Sequence, residues 1–441
     1  MKTDLQFDSY EDLKNFMKRS LTKSRASNMF DGDNRLSSTR RFFDAASKPH
    51  LGHKAIHVAG TSGKGTISYL IDSILRAAGK STGLLISPHV YDVRERAQVN
   101  GQLVSKKDYL SAANSLVPAL IDRYMAGDGQ NFYKFNTCLA LTIFKEKKPD
   151  YAVIETGLGG MYDSTNVVEP NDKLAVISRI GKDHTEILGN TFYKIAQQKA
   201  GIIQKSNKVV ALSQNKSINR AILERTAEMA AELDFVSSND RDLLDKFGID
   251  RWAELNPQLV GDFQNENVSL AVNAVRAVAE RDGWEITDEQ IKHGIISFTI
   301  PGRFERIDVG DNYFLMDGAH NEQKARALSA ALARNYPGQK WAVLVAMRKD
   351  KQSAGLLRLL RPLADSFIVT AFEGSGQDMQ GASIKPLTLA NRISKGFAGK
   401  VHVVPDCQEA IEEALKSTTP VLVTGSFYLL KPVKSYIDQI K

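Results

Sequence analysis

A chain of 441 residues is longer than one ordinary hydrophobic core supports, so two domains are expected. With 42% hydrophobic and 25% charged residues, and no apolar run near the roughly 18 needed to span a bilayer, it reads as a soluble globular protein with no membrane partner. The net charge of +7 comes from scattered Lys and Arg with only 8% aromatics, which argues against nucleic acid and suits anionic small molecules.

The N-terminus, MKTDLQFDSYEDLKNF, is charged and lacks an apolar signal core, so a cytoplasmic protein is expected. Cys138 and Cys407 are too few for a disulfide framework or a thiolate zinc site, and both read as small core residues. Short β-branched runs alternate with longer helical patterns: AIHVAG, TGLLIS, YAVIETG, LAVISRI and KVVALS. NTCLALTIF, around Cys138, reads as a buried helix. This alternation predicts an α/β fold with a mostly parallel sheet and crossover helices. Pro301-Gly302 breaks the pattern, which restarts with NYFLMDGA, WAVLVAM, SFIVTAF, KVHVVP and PVLVTGS. The expected domains are therefore 1–298 and a smaller, Rossmann-like α/β unit at 299–441.

The first strand runs into AGTSGKGTISYLIDSILRAAGK. The strand should end at Ala59 and a helix begin near Lys64, with Ile67, Leu70, Ile71, Ile74 and Leu75 at helical spacing and Gly79 as the stop. Gly60, Gly63 and Gly65 let the backbone turn tightly, so N–H groups of the turn through Thr61 and Ser62 can face an anion. The helix N-terminus adds partial positive charge, Lys64 a full one, and Thr66 a hydroxyl for Mg²⁺. The order G-K-G-T departs from the usual G-K-[ST], but it still describes a triphosphate cradle. The plain alternative is a glycine turn with a surface lysine.

GTSGKGT resembles the P-loop variant of the Mur ligase superfamily, ATP-dependent enzymes that join a carboxylate to an amine. LLISPHVYDVRER, YAVIETGLGGMYDSTNVV, ISRIGKDHTEILGNTFYKIAQQKAGII, LVGDFQNENVSLA, PGRFERI, MDGAHN and VLVTGSFYLL follow in the order of its folate branch. From about residue 10 to 435 the chain resembles the folylpolyglutamate synthase/dihydrofolate synthase family. The resemblance implies a P-loop Mur ligase ATPase domain followed by the smaller domain. It implies attack of a pteroate or folate carboxylate on ATP to give an acyl phosphate, then displacement of phosphate by the amine of L-glutamate. ATP and Mg²⁺, with two metal ions, are the implied cofactors, and dihydropteroate or a reduced folate the acceptor. A monomer is expected.

Residue by residue, the resemblance makes Ser87, Glu155 and His184 metal ligands, and Lys199 a further one if carbamylated. Lys64, His184 and Lys199 take the catalytic roles. Asn267, Arg303, Asp317 and His320 join the turn residues 60–66 as nucleotide contacts, and Asp163 is assigned to the pterin-bearing substrate. Other readings stand beside these: Glu155 as a capping or salt-bridging carboxylate, Lys199 as a surface lysine at a helix end, His320 as a cap. His50, His53, His293 and His402 read as structural. Lys64, Ser87, Glu155, His184 and Lys199 precede the break at Pro301 while Arg303 and Asp317 follow it, so hinge closure about TIPGR is expected. Ser62, Asp92, Arg94, Lys134, Met161, Tyr162 and Glu322 depart from the family pattern. Most of these departures fall on the pterin side, which leaves the acceptor open. The competing readings are a peptidoglycan-type Mur ligase, a P-loop kinase and a nucleic-acid-binding ATPase. Only about 59 residues precede the P-loop, too few for a UDP-sugar domain.

Overall fold

The computed structural model describes residues 5–21, 32–168, 172–237, 241–349, 353–372 and 382–441. The chain forms two compact units, Met1–His89 with Val93–Arg251 and Asp262–Phe298, and Val90–Asp92 with Trp252–Gly261 and Thr299–Lys441. Two short segments thus join the second unit out of chain order.

In the first unit, β1 (Ala55–Ala59), β2 (Thr82–Leu85), β3 (Gln98–Val99), β4 (Gln102–Leu103) and β5 (Tyr151–Glu155) precede β6 (Leu174–Ile177), β7 (Lys208–Leu212) and β8 (Glu232–Val236). They make one sheet in the order β4-β3-β2-β5-β1-β6-β7-β8. All pairs from β2 to β8 are parallel, and β3 and β4 add an antiparallel hairpin at one edge. Every residue of β1, β5 and β6 is buried, which is why these strands read as unbroken apolar runs instead of alternating ones. The helix Lys64–Ala77 packs on Phe263–Asp282 and Asp288–Ser297, and the Ser73 hydroxyl donates to Gly294 O at 2.7 Å. The helix Phe132–Lys147, capped by Asn131, brings Phe135, Leu139 and Phe144 into one apolar cluster with Ala152 and Ile154 of β5. Cys138 is buried in that helix and Cys407 half-buried, the latter at the start of Cys407–Leu415.

The second unit holds β9 (Glu305–Val309), β10 (Asn312–Met316), β11 (Trp341–Val345), β12 (Ala364–Val369), β13 (Lys400–Val403) and β14 (Val421–Thr424). Their order is β13-β12-β11-β14-β10-β9, with only β9 antiparallel. The α/β class and the mostly parallel first sheet match the sequence expectation, and each apolar run named above is a strand. β3, β4, β8 and β9 lack such runs. β8 is ELDFV and β9 is ERIDV, edge strands that expose Glu232, Asp234, Arg306 and Asp308. No described helix is long and apolar enough to cross a membrane.

Candidate active site

From β1 the chain moves to β2 on one side, returns to β5 beside β1, then passes to β6 on β1's other flank. In open α/β sheets the loops that diverge at such a point leave a crevice at the carboxyl ends of the strands. Four segments of the first unit meet there: the turn after β1, Ser87 after β2, Glu155 at the end of β5, and residues 178–181 after β6.

The turn is gripped through its backbone, so the Thr61 and Ser62 N–H groups expected to face an anion are instead taken up by the chain. Thr61 N–H donates to Arg179 O at 2.8 Å and Ser62 N–H to the same oxygen at 3.3 Å. The Thr61 hydroxyl donates to Gly181 O at 3.1 Å, and the Ser178 hydroxyl to Ser62 O at 2.8 Å. Two glycines are required by close approach. A Cβ on Gly60 would lie 1.8 Å from Ser178 Oγ, and one on Gly63, at φ +86°, would lie 2.2 Å from Asn267 Oδ1. Gly63 is the N-cap of the helix Lys64–Ala77 and offers no side-chain cap, so the helix's first N–H groups lack that partner. Asn267, buried on the helix Phe263–Asp282, is held by its own donation to Gln264 Oε1 at 2.7 Å.

Two lysines converge on one carbonyl. Lys64 Nζ donates to Gly60 O at 3.2 Å, and Lys199 Nζ donates to it at 2.7 Å. Lys199 is buried at the last turn of Phe192–Ala200 and is not a surface lysine. Burial, with the Lys64 ammonium beside it, brings the Lys199 ammonium down to about 7.

Glu155 is buried and accepts from Ser87 N–H at 2.9 Å, its one hydrogen bond among the described residues. Gly65 stands against it: a Cβ there would lie 3.7 Å from Glu155 Oε1. Burial pushes its carboxyl above the usual range, offset in part by Lys64, the Ser87 N–H and Arg96. A buried carboxylate with unused acceptor capacity beside a phosphate-type turn suits a hard cation such as Mg²⁺. Ser87 and Glu155 are therefore brought together as expected. His184 sits in the left-handed region at φ 48°, half-exposed, with Asp183 and Glu186 as its charged neighbours. Among the described residues no three His, Cys, Asp or Glu form a metal-holding group. The expected ligand set contains only two residues of those types, Glu155 and His184.

Asp163 differs from its expected role. It is fully buried, and its carboxylate accepts from Tyr133 OH at 3.1 Å, Leu158 N at 2.9 Å, Thr165 N at 3.0 Å and Thr165 Oγ1 at 2.6 Å. In this structure its four bonds organise the turn after β5. Because the Thr165 hydroxyl donates to Asp163, buried His57 Nε2 meets that hydroxyl, at 2.8 Å, as an N–H donor. Asn166 of the same turn donates to Met161 O and Gly201 O, and Met161 N–H to Gln198 O, so this turn carries the backbone flanking Lys199.

In the second unit Asp317 directly follows β10 and accepts from Phe304 N–H at 3.0 Å and Ala319 N–H at 2.8 Å. Arg303 lies over the Phe427 ring at 4.5 Å and offsets part of the burial that raises the Asp317 carboxyl. His320 Nδ1 bonds Gly318 O at 2.8 Å, and Lys324 Nζ lies 3.2 Å from Nε2. Sequence reading missed Ser178, Arg179 and Glu266. Ser178 reaches Ser62 across 116 positions and Arg179 reaches Glu266 across 87, while Arg179 holds Thr61 through its carbonyl, so no local pattern marks them.

The chain matches the Mur ligase middle domain over residues 58–275 and the Mur ligase glutamate ligase domain over residues 302–427. It is 31% identical over 407 residues to the dihydrofolate synthase/folylpolyglutamate synthase of Bacillus subtilis (strain 168), spanning 87% of this chain and 91% of that one. The folylpolyglutamate synthase structure from Thermotoga maritima aligns with a TM-score of 0.77 at 23% identity, over 98% of this chain and 97% of that one. An E. coli structure in complex with DHPP and ADP aligns with a TM-score of 0.71 at 24% identity, over 99% of both chains.

Proposed function

The chain belongs to the folylpolyglutamate synthase/dihydrofolate synthase family, and from that premise we propose how its residues divide the chemistry. It is an ATP-dependent ligase that forms an amide between a folate-type carboxylate and glutamate. In our reading the turn 60–66 holds the ATP phosphates, with Lys64 leaving Gly60 O to meet the γ-phosphate. The acid's carboxylate oxygen attacks the γ-phosphorus and ADP departs. The amine nitrogen of L-glutamate then attacks the acyl carbon, phosphate leaves, and the nitrogen loses its proton. Negative charge grows in both steps, so preorganised cations and the uncapped N-terminus of the helix Lys64–Ala77 lower both barriers.

Glu155 and Ser87, with His184, would hold Mg²⁺, which supplies charge neutralisation at the phosphates. Lys199 is proposed as a carbamate that adds a further metal-binding carboxylate; only a neutral amine reacts with CO₂, and burial beside Lys64 favours the neutral form. Asn267, Arg303, Asp317 and His320 are proposed nucleotide contacts. Dihydropteroate and reduced folates are the candidate acceptors, in a monomeric cytoplasmic enzyme.

The observation that carries this reading is the convergence of Lys64, Lys199 and Glu155 on one glycine turn. The test is isotope transfer. Acid labelled with ¹⁸O in its carboxylate should pass one label to the released phosphate, with ADP release requiring acid, glutamate and ATP. Lys64→Ala should lose the transfer by about 10²–10³-fold, the scale of removing one preorganised donor. Label-free phosphate would overturn the acyl phosphate, and near-normal turnover by Lys64→Ala would overturn the role of the turn. Running dihydropteroate and a reduced folate in parallel assigns the acceptor.

A further inference from the structure

The phosphate turn is held from two sides, and one ion pair ties the two holders together. On one side, residues 178–181 bond the backbone of Thr61 and Ser62 and the Thr61 hydroxyl. On the other, Asn267 abuts Gly63, where a Cβ would lie 2.2 Å from Asn267 Oδ1 and the positive φ of +86° itself favours glycine. Arg179, whose carbonyl accepts from Thr61 and Ser62, sends its guanidinium across to Glu266, the neighbour of Asn267. Nε donates to Glu266 Oε2 at 2.7 Å and Nη2 donates to Oε1, a two-pronged fork. The Glu266 side chain is buried at 8% exposure, whereas that of Arg179 is at 49%. A buried carboxylate without its partner would be costly, so the fork fixes the start of Phe263–Asp282 relative to the loop after β6.

We propose that Arg179 and Glu266 are a positioning pair for nucleotide binding: the fork keeps both holders at the spacing that leaves turn 60–63 open to phosphate. The pair acts through Arg179 O and Asn267, without itself touching the reacting atoms. This rests on the reading that the turn holds ATP. Arg179→Ala and Glu266→Gln should each weaken ATP binding about tenfold, the effect of loosening a constellation and not removing it. The KM values for acid and glutamate should stay put. Glu266→Gln, which leaves no buried charge, should keep the melting temperature near the parent's, whereas Arg179→Ala strands the Glu266 carboxylate and should lower it. Arg179→Lys, which keeps charge but lacks the fork, should recover only part of the affinity. The exchange Arg179→Glu with Glu266→Arg should recover more than either of its single changes.

Equilibrium binding of a fluorescent ATP analogue to the full-length chain reads these outcomes, with Lys64→Ala as control. If Arg179 contacted the nucleotide directly, Glu266→Gln would free it and affinity would hold or improve; that result overturns the positioning role. Parallel loss in all three substrates, or a melting temperature of Glu266→Gln lowered in step with its affinity, would mark the pair as merely structural. If Lys64→Ala also binds normally, the fault lies with the turn as nucleotide site. If Lys64→Ala loses binding and both pair variants keep it, the pair alone is refuted.

Discussion

The end of β5 and the turn that follows it each bury a carboxylate, Glu155 and Asp163, yet the two are built for opposite ends. Glu155 accepts one hydrogen bond, from Ser87 N–H, and stands beside cations on a glycine turn. Asp163 accepts four, from Tyr133, Leu158 and Thr165, and has no exposure at all. Burial alone therefore does not separate a reactive acid from a structural one. What separates them is whether the acceptor capacity is already filled by the chain.

The largest effect should come from the unfilled acid. Glu155→Gln keeps the shape and loses the charge, so ligation should slow about 10²–10³-fold and the Mg²⁺ titration should shift to higher concentration. Stability should not suffer. The folded-state carboxyl is raised, so its protonated form favours folding and the ionised form, present above the raised value, costs stability. A neutral amide removes that cost, and the melting temperature at pH 8 should be equal to or above the parent's. A variant with the parent's Mg²⁺ curve would put Glu155 in the structural class with Asp163.

Asp163→Asn should do the reverse. Whichever way the amide turns, one NH₂ faces N–H or O–H donors that now lack an acceptor, a loss of about 2–4 kcal/mol. Thermal melting should fall by about 5–10 °C. Activity per folded molecule, measured well below the melt, should change far less than in Glu155→Gln. A stable variant with a raised KM for the acid alone would return Asp163 to the substrate contact first expected of it.

Much of this architecture was legible because it depends on local pattern. Buried parallel strands such as AIHVA and YAVIE are continuous apolar runs, and the glycine turn announces a strand-to-helix junction by composition. The edge strands ELDFV and ERIDV were not legible, since half their residues face water and they resemble loops. Site residues divide in the same way. Lys64, Glu155 and Ser87 follow strands directly, so position implied place. Asp163 shared that motif-level signal, but its hydrogen bonds depend on Tyr133, which lies 30 residues earlier in the chain. The grip of residues 178–181 joins the backbone of Arg179 and Gly181 to two hydroxyls, Ser178 and Thr61, that lie more than 115 positions apart, so no local pattern marks it.

The same accounting applies to a buried cation, with the smallest expected effect. Lys134, next to the tyrosine that holds Asp163, stands at 4% exposure and donates to Ser38 Oγ at 2.5 Å, with Asp128 4.0 Å away. Burial lowers its ammonium to about 8; Asp128 opposes this, and Arg35 and Arg41 add to it. Below pH 8 both folded and unfolded chains carry the proton, and the fold bears the full cost of a buried charge. Between about 8 and the ordinary lysine value of 10.5 the unfolded chain binds the proton more, so this lysine's contribution to stability rises with pH. Lys134→Met has no such proton. The parent's melting temperature minus the variant's should therefore climb between pH 8 and pH 10, by about 2 °C for a contribution of about 1 kcal/mol. Subtracting the two curves cancels every other group that titrates in that range. A difference that stays flat would mean that Ser38 and Asp128 satisfy the ammonium as fully as the chain satisfies Asp163, and Lys134 would join the structural class.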